Sequence, residues 1–405
     1  MHHFTKRFVR PFEEFFAHEA AGGIVLIVNT ILALLWVNSP FAHSYEEILS
    51  HPVTIGLGDF SLTEPIHLWI NDGLMAIFFF VVGMEIKREI LVGELNSLKK
   101  SALPVAAAFG GMVLPAAIYL SFNAGGAGAS GWGIPMATDI AFALGALSLL
   151  GRAMPRALAV FLTALAIVDD LGAVLVIAVF YTAQISWQAL AAGGVILLLL
   201  FTANRAGVRY IWFYLILGLG LWLAFLKSGV HATIAGVLLG MTIPLKSRGG
   251  VSESPLRKLE HALHPWVAFG IMPVFALANA GVELNWHNFG EVLANPVTLG
   301  IVAGLFIGKQ AGITAFSYLT VRLGLAALPD RVTWKHIYGA GILGGIGFTM
   351  SLFIASLAFK DGSLLATAKT AIIMGSLVSG IAGIIILKAT GREKAPVVAD
   401  NMRQV

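Results

Sequence analysis

Long apolar blocks follow one another along nearly the whole chain, separated by short polar or basic breaks. Most approach the roughly 20 residues that an α-helix needs to cross a bilayer. Strict period-two alternation is absent, so the pattern predicts an all-α integral membrane protein and not a barrel. Candidate spans lie near 20–37, 66–92, 102–122, 129–150, 157–181, 188–204, 210–226, 229–244, 260–281, 297–321, 336–358 and 366–388. That makes about 12 transmembrane helices, although Lys227 and Ser228 interrupt the stretch 210–244, which could also be one broken span. The polar stretch Asn38 to Pro65 holds Glu46, Glu47, Asp59 and Glu64 but no Lys or Arg, and reads as an external loop.

Composition narrows the class. Of 405 residues 58% are hydrophobic and only 12% charged, against about 25% in a soluble domain. No soluble domain is left over, and the whole chain, 1–405, reads as one membrane-embedded unit. There is no cysteine, which removes disulfide and thiolate chemistry. The first apolar run is longer than a signal peptide's, with no small-residue cleavage site before Asn38 and Pro40, so it reads as a span. The net charge of +4 is a matter of topology: 22 of the 26 basic residues fall in segments on one side, from Lys6, Arg7 and Arg10 to Lys388, Arg392, Lys394 and Arg403. By the positive-inside rule both termini are cytoplasmic, and nucleic acid is not needed to explain the charge.

Four ionisable residues stand well inside predicted spans: Asp139, Asp169, Asp170 and Lys309. Such groups are expensive in hydrocarbon and mark ion or proton paths. One lysine cannot neutralise three carboxylates, so a purely structural ion pair does not account for the set. Adjacent helical residues point about 100° apart. Asp169 and Asp170 therefore face different ways: one can pair with a neighbouring helix, for instance through Lys309, while the other opens to a water-filled cavity. A carboxylate there would hold a proton or a small cation, but not both.

Two spans carry helix-breaking chemistry. In GIPMATDIAFALG (Gly133 to Gly145), Pro135 removes a backbone donor, and Thr138 and Asp139 compete for backbone groups. GAGILGGIGFTMS (Gly339 to Ser351) is a second, glycine-interrupted span. Paired interrupted helices in the two halves point to inverted-topology repeats, here units of about 102–181 and 297–388, with a site near the midplane. The remaining helices would form an interface panel.

Several long segments then agree with a known family: NDGLMAIFFFVVGMEIKREI (Asn71 to Ile90), PMATDIAFALG, LAIVDDLGAV, LKSGVHATIAGV (Leu226 to Val237), LEHALHPWVAF (Leu259 to Phe269), FALANAGV (Phe275 to Val282) and GGIGFTMSLFIA (Gly344 to Ala355). The chain resembles the NhaA sodium/proton antiporters from its first span to its last. The resemblance implies an electrogenic, pH-regulated exchanger of Na⁺ or Li⁺ against H⁺ in the bacterial inner membrane, a homodimer, with no cofactor beyond its transported ions. It implies Asp170 as the principal ion-binding carboxylate, Asp169 as its neighbour in the Na⁺ site, and Lys309 as partner of Asp169 or proton carrier. Thr138 and Asp139 match the crossing of the broken helices, with Asp139 offsetting helix dipoles. It also implies pH sensing by Glu85, Glu89, Glu260, His261 and His264, groups that would otherwise read as an interfacial charge cluster. His231 and Asp72 read as structural residues, Asp72 alternatively as part of an external funnel.

Two other classes compete. An intramembrane aspartyl protease also needs two carboxylates, but from different segments that face each other; this pair is adjacent on one helix. A cation channel would call for a file of sites more than one titratable cluster. The histidines are dispersed without HExxH, which argues against zinc hydrolysis, and no enzymatic activity is expected.

Overall fold

The computed structural model describes residues 21–57, 60–182, 184–246, 254–283 and 289–392. Lys6, Arg7, Arg10, Asp59, Arg248, Lys394 and Arg403 lie outside them. Helices dominate: α1 (Ala21–Val37), α2 (Ala42–Ser50), α3 (Ile66–Val92), α4 (Leu98–Asn123), α5 (Ile140–Ser148), α6 (Arg156–Phe180), α7 (Trp187–Arg205) and α8 (Ile211–Ser228). They are followed by α9 (Thr233–Thr242), α10 (Pro255–Asn279), α11 (Phe289–Ala294), α12 (Pro296–Arg322), α13 (Trp334–Leu343), α14 (Phe348–Ala358) and α15 (Gly362–Arg392).

Among the described residues, eight helices are long and apolar enough to cross a membrane: α3, α4, α6, α7, α8, α10, α12 and α15. Two bent pairs raise the number to ten if each is one span: α1 with α2, at 111°, and α13 with α14, at 47°. The protein is a multi-pass, mostly helical membrane protein. The uncertain stretch 210–244 resolves into two helices, α8 and α9, because Gly229 takes φ +81°, which ends α8 where a side chain would be strained.

The stretch 38–65, expected to be an external loop, is more ordered than its polarity predicts. It holds α2 and a two-stranded antiparallel hairpin, β1 (Pro52–Leu57) and β2 (Phe60–Pro65), an addition to a chain that is mostly helical as expected. Val53, Thr54, Ile55 and Thr63 favour extended backbone through their branched Cβ, and Thr54 and Thr63 face each other with hydroxyls 2.8 Å apart. Six-residue strands are too short to leave an alternation visible in so apolar a chain.

α4 and α12 approach closely through glycines. A Cβ on Gly312 would run into the Gly110 carbonyl, and one on Gly110 into that of Gly312. Small residues at such contacts let helices pack on dispersion alone in lipid. This contact places Lys309, one turn before Gly312, deep in the bundle.

Candidate functional site

Two chain breaks meet in the interior. The first span at 129–150 is a 3-10 turn, Ala129–Met136, an extended stretch and then α5. Pro135 ends the turn, Ala137 has ψ 148°, and Asp139 is extended at φ −86°, ψ 103°. The second break separates α13 from α14 at Gly344–Gly347. At the crossing the Asp139 backbone N–H donates to Ile346 O at 2.6 Å and Thr138 Oγ1 donates to Gly344 O at 2.8 Å. Ser351 Oγ adds a bond to Ile134 O at 2.7 Å. Backbone groups freed by each break are thus satisfied by the other, as a low-dielectric interior requires.

Asp139 caps two helices at once. Its Oδ1 accepts from Phe142 N at 3.1 Å, in the first turn of α5. Its Oδ2 accepts from Thr349 N at 3.1 Å, in the first turn of α14, and from the Thr349 hydroxyl. Two helix N-termini, each with partial positive charge, converge on one carboxylate. A second cap on α14 comes from Ser376, whose Oγ accepts from Phe348 N at 3.1 Å.

Asp169 and Asp170 sit in the middle of α6 and separate as helix geometry demands. Asp169 accepts from Lys309 Nζ at 2.7 Å, an ion pair with both side chains fully buried. Its other oxygen, Oδ1, is buried without a hydrogen bond. Asp170, 3% exposed, makes no hydrogen bond or ion pair among the described residues. Its charged neighbours are Asp169, Glu85, Asp139 and Lys309. Thr138 lies beside Asp169. All five residues singled out in the spans therefore gather at one buried place. Lys309 follows a π-helical stretch, Gly304–Gly308, in which Gly304 and Gly308 lie close against Pro135 and Pro115.

Breaking this pair should be costly. Lys309→Met leaves a buried carboxylate without its partner, and loss of one member of such a pair is worth about 3–5 kcal/mol. We expect a markedly lower melting temperature in detergent, largely recovered in Lys309→Met/Asp169→Asn; a single variant as stable as the parent would show that the pair carries no stability.

A second charged group forms at the C-terminal end of α3. Arg88 bonds Glu260 at 2.5 Å and Glu89 at 3.1 Å. Glu85 acts on both Arg88 and Asp170, and His264 acts on Glu260. His261 is exposed and makes no hydrogen bond or ion pair among the described residues, so the structure does not bring it into this group. Lys87 is spent on the end of α9, donating to Ile243 O at 2.6 Å. His231 Nε2 lies 2.7 Å from Tyr181 O, which fits a structural tie. Asp72 stands in a π-helical stretch, Trp69–Leu74, and its backbone O accepts from Trp222 Nε1 at 2.9 Å.

Sequence reasoning gave no role to Thr349 or Ser376. Thr349 was accessible from its place just after GGIG, at the start of a resumed helix, where N-capping partners are needed. Nothing in the sequence around Ser376 links it to a break some 30 residues earlier.

An apolar helical bundle that buries three carboxylates and a lysine where two chain breaks cross belongs to the class of ion-translocating membrane proteins. The family model described as Na⁺/H⁺ antiporter 1 matches residues 13–387, and the chain belongs to that family. Among its relatives, the Na⁺/H⁺ antiporter NhaA 1 of Clostridium beijerinckii is 55% identical over 379 residues, covering 93% of this chain and 95% of that one. The Na⁺/H⁺ antiporter NhaA of Psychrobacter cryohalolentis is 50% identical over 395 residues, covering 97% and 98%. That of Rhodospirillum rubrum is 51% identical over 386 residues, covering 93% and 96%.

Proposed function

We propose that this protein is a secondary antiporter that moves Na⁺, and Li⁺ by the same ligand chemistry, out of the cytoplasm in exchange for external H⁺. The observation that carries the reading is the buried, unpartnered Asp170 beside an Asp169 already held by Lys309. Asp170 takes either a proton or a cation. Carboxylate, hydroxyl and carbonyl oxygens are hard ligands suited to Na⁺. The carboxylate of Asp170 would hold the ion, with water and neutral oxygens completing its shell. That suits a cargo that must leave.

The two fluxes couple because they compete for the same groups. With the site open to the cytoplasm, Na⁺ displaces protons from Asp170 and from Lys309 in its bond to Asp169. The crossing re-aims, and external protons expel Na⁺. Two protons per Na⁺ carry net positive charge inward, so exchange is electrogenic and the membrane potential drives Na⁺ out. The role of Thr138 and Asp139 is to hold the crossing, with Asp139 supplying the charge that two helix N-termini need.

Twelve spans follow if the broken segment 129–148 and α9 are counted with the ten. The inverted repeat relates the units 102–181 and 297–388: α4 corresponds to α12, the break at 137–139 to that at 344–347, and α6 to α15. Two of these pairs meet across the presumed axis, the first through Gly110 and Gly312 and the second at the crossing itself. The excess of basic residues on one side of the spans supports both termini in the cytoplasm, and kinship with bacterial antiporters supports the inner membrane. A homodimer would form through the hairpin, whose strands each have one unpaired edge.

The group around Arg88 would sense cytoplasmic pH, with Glu85 linking it to Asp170. Glu260→Gln removes one partly exposed ion pair, worth about 1 kcal/mol or less. The activity profile should then shift by a few tenths of a pH unit with turnover at alkaline pH retained; a profile that superimposes on the parent's removes Glu260 from regulation. The antiport itself is tested in everted vesicles with an imposed pH gradient. Added Na⁺ or Li⁺ should dissipate the gradient and K⁺ should not; no response to Na⁺ above vesicles lacking the protein would refute the reading.

A further inference from the structure

Helical hydroxyls in this protein have a common habit. Thr30, Thr320, Thr370 and Thr390 each donate to the carbonyl four residues back. Thr314 and Ser317 of α12 depart from it: their buried hydroxyl oxygens have no partner, nor has Oε1 of Gln310. Ser317 is fully buried and Gln310 is 7% exposed. Residues 310, 314 and 317 fall within about 60° of one another on a helix. They form a polar stripe that starts beside Lys309 and runs toward the end of α12 that bears Arg322.

α13 covers this stripe. A Cβ on Gly341 would lie 3.2 Å from Gln310 Cα, and the rings of Trp334 and Tyr318 meet at 5.3 Å. Gly341 offers no side chain to fill the seam. Arg322 and Lys335 stand exposed at its mouth, and His336 is buried near it with Nδ1 bonded to Thr333 N at 3.1 Å. Three polar atoms left unpaired in a low dielectric would each cost about 1–3 kcal/mol. Water that makes two to four hydrogen bonds in a polar seam removes that cost.

We propose that the seam between α12 and α13 is a hydrated proton path from the cytoplasm to Lys309, separate from the route by which Na⁺ reaches Asp170. The inference rests on the antiport reading and deepens it. A line of hydroxyl and amide groups passes a proton between waters, but offers Na⁺ no carboxylate. Cation and proton would therefore reach the paired groups from two sides.

A chain without cysteine allows a direct test, since each introduced thiol is the only one. In everted vesicles, Thr314→Cys and Ser317→Cys should react with a small, membrane-impermeant cationic methanethiosulfonate. Ala315→Cys, at the same depth on the exposed outer side of α12, should not. Labelling of all three alike, or of none while Na⁺ still dissipates the gradient, would overturn the proposal and leave antiport standing. Loss of the Na⁺ response in the unsubstituted protein would instead sink the reading beneath it. Thr314→Val/Ser317→Ala should slow turnover several-fold with the KM for Na⁺ unchanged; unaltered turnover would overturn the path even if the thiols react.

Discussion

Asp170→Asn is expected to abolish Na⁺-dependent dissipation of a pH gradient in everted vesicles, while the protein still folds and inserts. The side chain keeps its shape and can still be accommodated, because no hydrogen bond or ion pair among the described residues depends on it. On the role proposed for Asp170, what it loses is the ability to exchange a proton for a cation. An amide neither binds a proton near neutral pH nor presents the charge that draws Na⁺ from water. The variant should therefore show a near-parental melting temperature together with transport at background. Parental transport in Asp170→Asn would remove the residue from the site, and a collapsed melting temperature would make its role structural.

Asp139→Ala should produce the largest loss of stability. The change leaves Phe142 N, Thr349 N and the Thr349 hydroxyl without their acceptor, all at the crossing. Each buried, unsatisfied donor costs about 1–3 kcal/mol, so several kcal/mol are at stake before the two helix dipoles are counted. Melting in detergent should fall far below the parent's, and transport should fall with it. Asp139→Asn, which keeps one oxygen as acceptor, should be intermediate. If Asp139→Ala melts like the parent, the two helices are held by something other than this shared cap.

The contrast between these two variants reflects what could be read from the chain before its fold. Asp169, Asp170, Asp139 and Lys309 stand out because charge in an apolar block has few explanations. The breaks are legible from Pro135 and from the glycines at 344–347, since both residue types act on the local backbone. Pairing is a different matter. That Lys309 reaches Asp169 and leaves Asp170 bare depends on how α12 packs on its neighbours, and helix periodicity shows only that the two carboxylates diverge. Glu85 reads as a surface charge beside Lys87 and Arg88, yet it lies within electrostatic reach of Asp170, because the tilt and depth of α3 are not written in its own sequence. The hairpin was missed for a related reason: its short strands are defined by each other, through Thr54 facing Thr63.

His261 and His264 illustrate the limit from the other side. They are three residues apart on one helix and look equivalent as titratable groups. Packing separates them: His264 acts on Glu260, which Arg88 holds, while His261 faces outward. A regulatory role built on proximity to Arg88 thus favours His264, and His261→Ala should leave the pH profile in place.

Na⁺ and H⁺ are expected to compete for Asp170. Purified protein in weakly buffered detergent solution, followed with a pH-sensitive dye, tests it without a membrane or a gradient. A pulse of Na⁺ should release protons from the parent protein, K⁺ should release none, and Asp170→Asn should release none with either ion. Proton release from Asp170→Asn equal to the parent's would contradict the account.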